Sequence, residues 1–182
     1  FKIYFLYFSL KIMKLKLLVL LFLNFNLFSQ EDLTTLNKKT IDETINTLYS
    51  VISGDKGVER DWGLFKSLFH PDAKLIPSGP SQDGNFQAIY LSPDDYINRS
   101  GKWLYENGFH EKEIHRVTDI FGNIAHIFST YEAFRESSDE IPFMRGINSI
   151  QLMKTNEKWL IINIYWMQES DIYEIPKKYL NN

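Results

Sequence analysis

The feature that most limits the fold is a series of four long segments, in the second half of the chain, whose apolar and polar residues alternate. They are Phe109–Phe121, Ile124–Phe134, Phe143–Lys154 and Lys158–Gln168. Gly122-Asn123 and Thr155-Asn156-Glu157 separate neighbouring segments with residues typical of tight turns, and Glu136–Pro142 forms a longer connection. Alternation with short connections predicts an antiparallel meander of four strands.

Two helices are predicted at the start of the domain. The first covers about Asp32–Ile52, where apolar residues recur mostly at helical spacing, and glycines follow it. The second is short and begins at Asp61, a residue suited to capping a helix N-terminus. It ends near His70, because a residue that precedes a proline, here Pro71, avoids helical backbone angles.

A third helix is predicted directly ahead of the meander. Ser92 is a suitable N-cap, Pro93 suits the first helical position, and two acids follow, so the helix should run to about Asn107 and stop at a glycine. Between the second and third helices, Ala73–Pro77 and Phe86–Leu91 have the composition of short strands, with a mobile loop between them. Three helices therefore precede the sheet.

The first 29 residues have the profile of a signal peptide. They contain four lysines and no acid, and they include the apolar run Leu17–Phe28. Met13 is the expected start, so that Phe1–Ile12 would be an over-extended reading frame, and cleavage is expected ahead of Gln30. An uncleaved membrane anchor is the alternative.

Composition limits what an exported domain of residues 30–182 can do. The chain has no cysteine, so it has no disulfide, no thiol nucleophile and no cysteine for lipid attachment. Removing the four lysines of the signal peptide changes the net charge from −3 to −7. An acidic surface argues against nucleic acid as a partner. We expect a single soluble domain, periplasmic or secreted, with no membrane contact after cleavage.

Strand alternation divides the predicted meander into two faces. One face is apolar at one end, where the helices should pack, with Ala125, Ile127, Ile150, Leu152, Leu160 and Ile162. The other end of the same face collects polar and aromatic residues, namely Arg116, Ser129, Tyr131, Asn148 and Trp166, with Ile114 opposite Tyr131. No carboxylate is predicted on this inner face. The outer face, which carries His115, His126 and Phe128, is mixed and suits a dimer interface.

The segment Arg145–Leu152, RGINSIQL, is unusual for a buried strand because it carries several polar groups. Asn148 should point inward, Gly146 should leave room opposite Tyr131 or beside a tryptophan, and Arg145 should form an ion pair with Glu132 on the neighbouring strand. A one-residue bulge would exchange these roles.

The order of elements resembles that of the NTF2-like superfamily, which includes the SnoaL-like and DUF4440-type domains. Four segments carry the resemblance: Asp61–Pro77, Ile124–Glu132, Arg145–Leu152 and Trp159–Trp166. The resemblance implies an α+β cone in which three N-terminal helices pack on a curved antiparallel sheet. It also implies a pocket between the sheet and the helices, and a homodimer built from the outer sheet faces.

The residues expected to bind a ligand in this pocket are Trp62, Phe69, Tyr96, Arg116, Ser129, Tyr131, Asn148 and Trp166. Their mixture of aromatic walls and a few polar groups predicts a small, largely apolar ligand with a polar head. One alternative is an isomerase or dehydratase with His70 and Tyr131 as acid/base groups and Arg116 or Asn148 as the oxyanion partner. The other is a non-catalytic dimerisation or scaffold module.

Some of these residues also have simpler interpretations. His70 could cap the carbonyls at a helix end, and Arg116 could form a salt bridge. His115, His126 and Asp119 could converge on the outer face, but surface histidines are far commoner than zinc ligands. The sequence therefore predicts no metal site and no cofactor.

Overall fold

The computed structural model describes residues 40–81, 83–156 and 158–180. The predicted signal peptide and the first part of the predicted first helix lie outside these residues. The chain divides into two units after Asp42, and the fold and site described below lie in the second unit. Helix α1 is described from residue 40 to residue 52.

The two helices that follow confirm the capping predictions. Helix α2 is Trp62–Ser67, and the side chain of Asp61 accepts a hydrogen bond from the backbone N–H of Leu64 at 2.8 Å. Helix α3 is Pro93–Asn107, and it begins with a capping box in which Ser92 and Asp95 each accept from the other's backbone N–H. A glycine with a positive φ of 71° ends α3.

Six strands form one sheet. They are β1 (Phe69–Pro80), β2 (Phe86–Ala88), β3 (His110–Phe121), β4 (Ile124–Phe134), β5 (Met144–Lys154) and β6 (Trp159–Gln168). Their order across the sheet is β2-β1-β6-β5-β4-β3, and all neighbours are antiparallel except β1 and β6, which are parallel. The structure confirms an α+β fold with three α-helices among the described residues and a curved, mostly antiparallel sheet, although β1 and β2 lie between α2 and α3 in the chain.

The predicted meander is confirmed to within a residue at each strand end, and the two predicted short strands, Ala73–Pro77 and Phe86–Leu91, correspond to β1 and β2 with different bounds. Strand β1 begins at Phe69 and continues to Pro80, so it includes His70 and part of the predicted loop. It pairs with β6, which is distant in sequence, and local alternation carries no signal of such pairing. The register between β1 and β6 shifts between Phe69 and Lys74, a stretch that includes a proline.

A bulge in β3 changes which residues face inward. Glu113 pairs with Tyr131, whereas His115 pairs with Thr130, so Ile114 is the extra residue on β3. The predicted pairing of Ile114 with Tyr131 is therefore wrong. Residues of β3 that precede the bulge therefore point to the opposite face of the sheet from the one that simple alternation predicts.

A second irregularity lies between β5 and β6. The register shifts between Gln151 and Leu152, and Leu152 pairs with Ile161. Ile161 and Trp159 are consequently buried, whereas Leu160 and Ile162, the predicted inward residues, are only half-buried. The predicted inner face of β6 is therefore correct for Ile164 and Trp166 and wrong for Leu160 and Ile162.

Arg60 ties the end of α1 to the end of α3. It is buried, and its guanidinium donates to the carbonyls of Ile52 at 3.0 Å, Gly54 at 2.7 Å and Leu104 at 3.3 Å. Removal of the guanidinium from water lowers its pKa. A Cβ at residue 54 would lie 2.6 Å from the guanidinium, so a larger residue there would displace Arg60.

The segment after β6 covers part of the outer face of the sheet. The carbonyl of Tyr179 accepts a hydrogen bond of 2.7 Å from the hydroxyl of Thr130, and the Tyr179 ring lies 4.9 Å from that of Phe128. Glu169 accepts from the backbone N–H of Ile175 at 2.9 Å. Among the described residues, no helix is both long and apolar enough to cross a membrane.

Candidate functional site

A cavity of about 210 Å³ lies between the inner face of the sheet and helices α1 and α3. Most of its lining is apolar, with Leu48, Ile52, Phe65, Leu75, Trp103, Leu104, Phe109, Met144, Ile164 and Trp166. The polar side chains in the lining are Tyr49, Tyr96, Ser100, Glu111, Tyr131 and Asn148. An apolar cavity with a few convergent polar groups is the usual form of a small-molecule site.

Glu111 is the one carboxylate among the described residues that line the cavity. Its side chain is half-buried against the apolar lining, and this partial removal from water raises its pKa to about 7. The amide of Asn148 donates to Oε1 of Glu111 at 3.2 Å, and this hydrogen bond opposes the rise because it favours the charged form. Near neutral pH, Glu111 can therefore either hold a proton or accept one.

Tyr96 and Tyr131 bring two phenol groups to the same cavity. Burial, together with the nearby charge of Glu111, raises the pKa of each phenol, so both stay protonated at neutral pH. Among the described residues, neither hydroxyl has a hydrogen-bond partner. Both are therefore available to donate a hydrogen bond to a bound molecule.

Gly146 makes the position of Tyr131 possible. The two residues are paired across β4 and β5. A Cβ at residue 146 would lie 2.5 Å from the hydroxyl oxygen of Tyr131 and 2.6 Å from the carbonyl oxygen of Met167. The prediction that Gly146 leaves room opposite Tyr131 is confirmed.

A row of polar groups leads from Asn148 and Tyr49 in the cavity lining to side chains behind it. The amide of Asn148 also donates to the hydroxyl of Tyr49 at 3.0 Å, and this hydroxyl lies 2.7 Å from that of Ser129. The Ser129 hydroxyl donates to Glu113, which Arg116 binds through two nitrogens, with Nε at 2.8 Å. Ser129 is fully buried, and Tyr49 and Asn148 are nearly so.

The sequence-predicted ligand-binding residues divide into three groups. Tyr96, Tyr131, Asn148 and Trp166 line the cavity, as expected for a pocket on this face. Trp62 and Phe69 pack behind the lining, against the ring of Phe65. Ser129 and Arg116 belong to the polar row behind Asn148 rather than to the wall.

His70 does not reach the cavity. It lies on β1, and its Nδ1 accepts a hydrogen bond of 3.2 Å from the backbone N–H of Asp72. On the outer face, Nε2 of His126 bonds to the hydroxyl of Ser149 at 2.9 Å. Within residues 40–81, 83–156 and 158–180, no three histidine, aspartate or glutamate side chains are grouped to hold a metal ion.

Three hydrogen-bonded residues of the site were not predicted, namely Glu111, Glu113 and Tyr49. The expectation that the inner face lacks a carboxylate is wrong, because the bulge at Ile114 brings Glu111 and Glu113 to that face. Glu111 and Glu113 are visible in the sequence as acids at alternate positions, but the bulge determines which face of the sheet they point to. Tyr49 lies on the predicted first helix, and nothing in the local pattern separates it from a core residue.

The predicted ion pair of Arg145 is also wrong. Arg145 pairs with Glu169 at 2.7 Å instead of with Glu132, its predicted partner.

No protein-family model matches the sequence, and no curated protein matches it. Solved structures do match. An NTF2-like protein with a cystatin-like fold from Novosphingobium aromaticivorans has a TM-score of 0.62 at 14% identity, over 80% of this chain and 92% of that one. A candidate scytalone dehydratase from the same organism has a TM-score of 0.59 at 13% identity, over 83% and 95%.

A third match is a cystatin-like protein of unknown function from Nostoc punctiforme, with a TM-score of 0.57 at 14% identity over 75% of this chain and 93% of that one. At such identities the likeness concerns the fold. This chain has the NTF2-like, cystatin-like fold, with its cavity between the helices and the sheet.

Proposed function

We propose that this protein is an acid/base enzyme of the isomerase or dehydratase type, acting on a small, largely apolar substrate that bears a carbonyl group. The observation that carries the proposal is the position of Glu111, whose pKa of about 7 arises in an apolar cavity that also presents two unpaired phenols. A general base is most effective when its pKa lies near the working pH.

The reaction would begin with transfer of a proton from the carbon next to the carbonyl to the carboxylate of Glu111. The electrons of the broken C–H bond form a new C=C bond, and the carbonyl oxygen becomes an enolate oxygen. Tyr131 and Tyr96 are the donors available to this oxygen. Removing one donor of this kind costs about 10²–10³-fold in rate in other enzymes.

Two outcomes follow from the same enolate. If the substrate carries a β,γ double bond, the enolate is a dienolate, and return of the proton from Glu111 to the γ carbon leaves an α,β double bond and completes an isomerisation. If the substrate instead carries a hydroxyl at the β carbon, that hydroxyl leaves with the proton of Glu111 as water, and an unsaturated ketone remains. In both cases Glu111 ends the cycle as a carboxylate.

The cavity also limits the substrate. A volume of about 210 Å³ is below the ~300–1,000 Å³ of pockets for drug-sized ligands, so a single ring or a short chain is the expected size. The likeness to a candidate scytalone dehydratase supports the dehydration outcome. At 13% identity this support rests on the similarity of the two folds alone.

The experiment uses two probe substrates with a common product. A cyclic ketone with a β,γ double bond tests isomerisation, and the β-hydroxy cyclic ketone tests dehydration, because both give the conjugated enone and its ultraviolet absorption. We expect turnover of at least one probe by the wild type. Glu111→Gln should lose roughly 10²–10⁴-fold in rate, whereas Glu132→Gln, outside the cavity lining, should keep the wild-type rate.

Turnover that survives in Glu111→Gln would contradict the proposed base. Binding of both ketones without turnover would favour the second candidate, a module that binds a small, largely apolar ligand without catalysis. That candidate is supported by the apolar lining alone. It differs from the first because it needs no titrating group in the cavity.

We also propose that the chain is exported to the periplasm or secreted, and that it forms a homodimer through the outer face of the sheet. The basic and apolar pattern of residues 1–29 supports export. Three exposed apolar side chains on the outer face, Val117, Phe121 and Ile124, support self-association.

A further inference from the structure

The proposed reaction assigns no role to most of the polar row that runs from Asn148 to Arg116. The row contains a complete ion pair, Glu113 with Arg116, whose side chains are only 18% and 15% exposed. Ser129 and Tyr49 join this pair to Asn148, and Asn148 contacts Glu111.

The ion pair determines the direction of the hydrogen bonds in the row. An ionised carboxylate such as Glu113 can only accept, so the single hydroxyl hydrogen of Ser129 points to Glu113. Ser129 must then accept from the hydroxyl of Tyr49. The oxygen of Tyr49 is in turn left to accept from the amide of Asn148.

Asn148 is fixed by this sequence of bonds. Its amide nitrogen has two hydrogens, of which one goes to Tyr49 at 3.0 Å and the other to Oε1 of Glu111 at 3.2 Å. If Tyr49 could not accept, the amide could rotate and its bond to Glu111 would weaken. The donor to Glu111 is thus held by Tyr49, which lines the cavity, and through it by Ser129, which lies behind the lining.

We propose that Ser129 and Tyr49, anchored by the ion pair of Glu113 and Arg116, are positioning residues that hold the amide of Asn148 on the carboxyl of Glu111. This inference rests on the proposed function, since it is Glu111 that acts as the base. The row orients Glu111 and does not conduct protons. The amide of Asn148 donates in both directions and cannot pass a proton along, so Glu111 exchanges its proton through the cavity.

The titratable groups that face Glu111 from the neighbouring elements are Tyr49 on α1, Tyr96 on α3 and Tyr131 on β4. Burial raises the pKa of each, so all three are neutral throughout the range in which Glu111 titrates. Glu113 belongs to the row itself. The pH response of Glu111 therefore reports burial and the bond from Asn148.

The experiment measures the titration midpoint of Glu111 by NMR, in protein labelled with ¹³C at the glutamate side-chain carboxyls and assigned with Glu111→Gln. We expect a midpoint near 7 in the wild type. Ser129→Ala should raise the midpoint by roughly half to one pH unit, because a hydrogen bond that favours the charged form is weakened. Tyr49→Phe, which keeps the ring, should raise it similarly.

The matched control is Thr130→Ala. Thr130 is as fully buried as Ser129 and adjacent to it on β4, but its hydroxyl bonds to Tyr179 on the opposite face. A general loss of stability would move the midpoint in all variants alike. An unchanged midpoint in Ser129→Ala and Tyr49→Phe, or an equal shift in Thr130→Ala, would overturn the positioning role.

The two proposals fail in different ways. A wild-type midpoint near the ordinary glutamate value of 4.5 would remove the basis of the proposed reaction. A midpoint near 7 that ignores Ser129 and Tyr49 would leave that reaction intact and overturn the positioning role.

Discussion

At the scale of single residues, the carboxyl of Glu111 couples stability to pH. Its pKa rises from 4.5 in the unfolded chain to about 7 in the fold, so between these values the folded chain binds more protons than the unfolded chain. Stability should therefore fall as pH rises through this window and be constant above it. The shift corresponds to at most about 3 kcal/mol. Glu111→Gln should not show this fall.

Denaturant unfolding of both proteins at a series of pH values checks this expectation. Subtracting the free energy of unfolding of Glu111→Gln from that of the wild type cancels the contributions of the other titrating groups. The difference should become less favourable to the wild type from about pH 4.5 to about pH 7. A difference that stays constant with pH would show that the carboxyl remains solvated in the fold.

The sequence allowed prediction of three cavity residues on the sheet, and for an identifiable reason. Asn148, Tyr131 and Trp166 lie in stretches where β4, β5 and β6 keep regular alternation, and turn residues define the register between them. Glu111 lies beyond the extra residue Ile114, where alternation counted from the turn gives the wrong face. A bulge depends on packing between strands, so a single sequence does not reveal it.

At the scale of elements, α3 brings Tyr96, Trp103 and Leu104 to the cavity. Its start is held by the capping box of Ser92 and Asp95. Ser92→Ala removes one acceptor for the orphan N–H groups of the first turn, and we expect it to lower the free energy of unfolding by about 1 kcal/mol. Denaturant unfolding measures the loss.

The control for this change is Ser138→Ala, at an exposed serine in the β4–β5 connection. It should change the free energy of unfolding by less than about 0.5 kcal/mol. Because Tyr96 is only one turn from the cap, Ser92→Ala should also weaken binding of the ketone probes. Equal stability of the two variants would mean that α3 is held by packing alone.

The elements themselves were predictable where the signals are local. Ser92-Pro93 and the glycine after α3 mark that helix, and Gly122-Asn123 marks the β3–β4 turn. The parallel pairing of β1 with β6 joins segments far apart in sequence, and it converts part of a predicted loop, including Pro80, into strand. Such pairing is set by the tertiary fold rather than by the residues of β1.

At the scale of the whole molecule, the C-terminal segment covers one part of the outer face of the sheet and leaves another part exposed. The segment after β6 covers the part near Phe128 and Thr130, where Tyr179 makes its contacts. Phe121 and Ile124, at the β3–β4 turn, stay 82% and 55% exposed. A dimer built on the outer face should therefore use the end of the sheet that the C-terminal segment leaves open.

Native mass spectrometry tests this arrangement together with export. The chain, expressed with its own N-terminus and collected from the periplasm of a Gram-negative host, should give a subunit mass that begins at Gln30 and a complex of twice that mass. Phe121→Glu places a charge in the apolar contact, which is costly to bury unpaired, so this variant should be monomeric at concentrations where the wild type is a dimer.

Tyr90→Glu is the matched control for this prediction. Tyr90 is an aromatic residue that is 69% exposed, in the β2–α3 connection rather than on the outer face, so its replacement should leave the dimer intact. A monomeric wild type would contradict the dimer, whereas a dimer that survives Phe121→Glu would place the interface elsewhere. A subunit mass that retains residues 1–29 would contradict cleavage of the signal peptide. The subunit mass and the complex mass thus test export and assembly independently, in one sample.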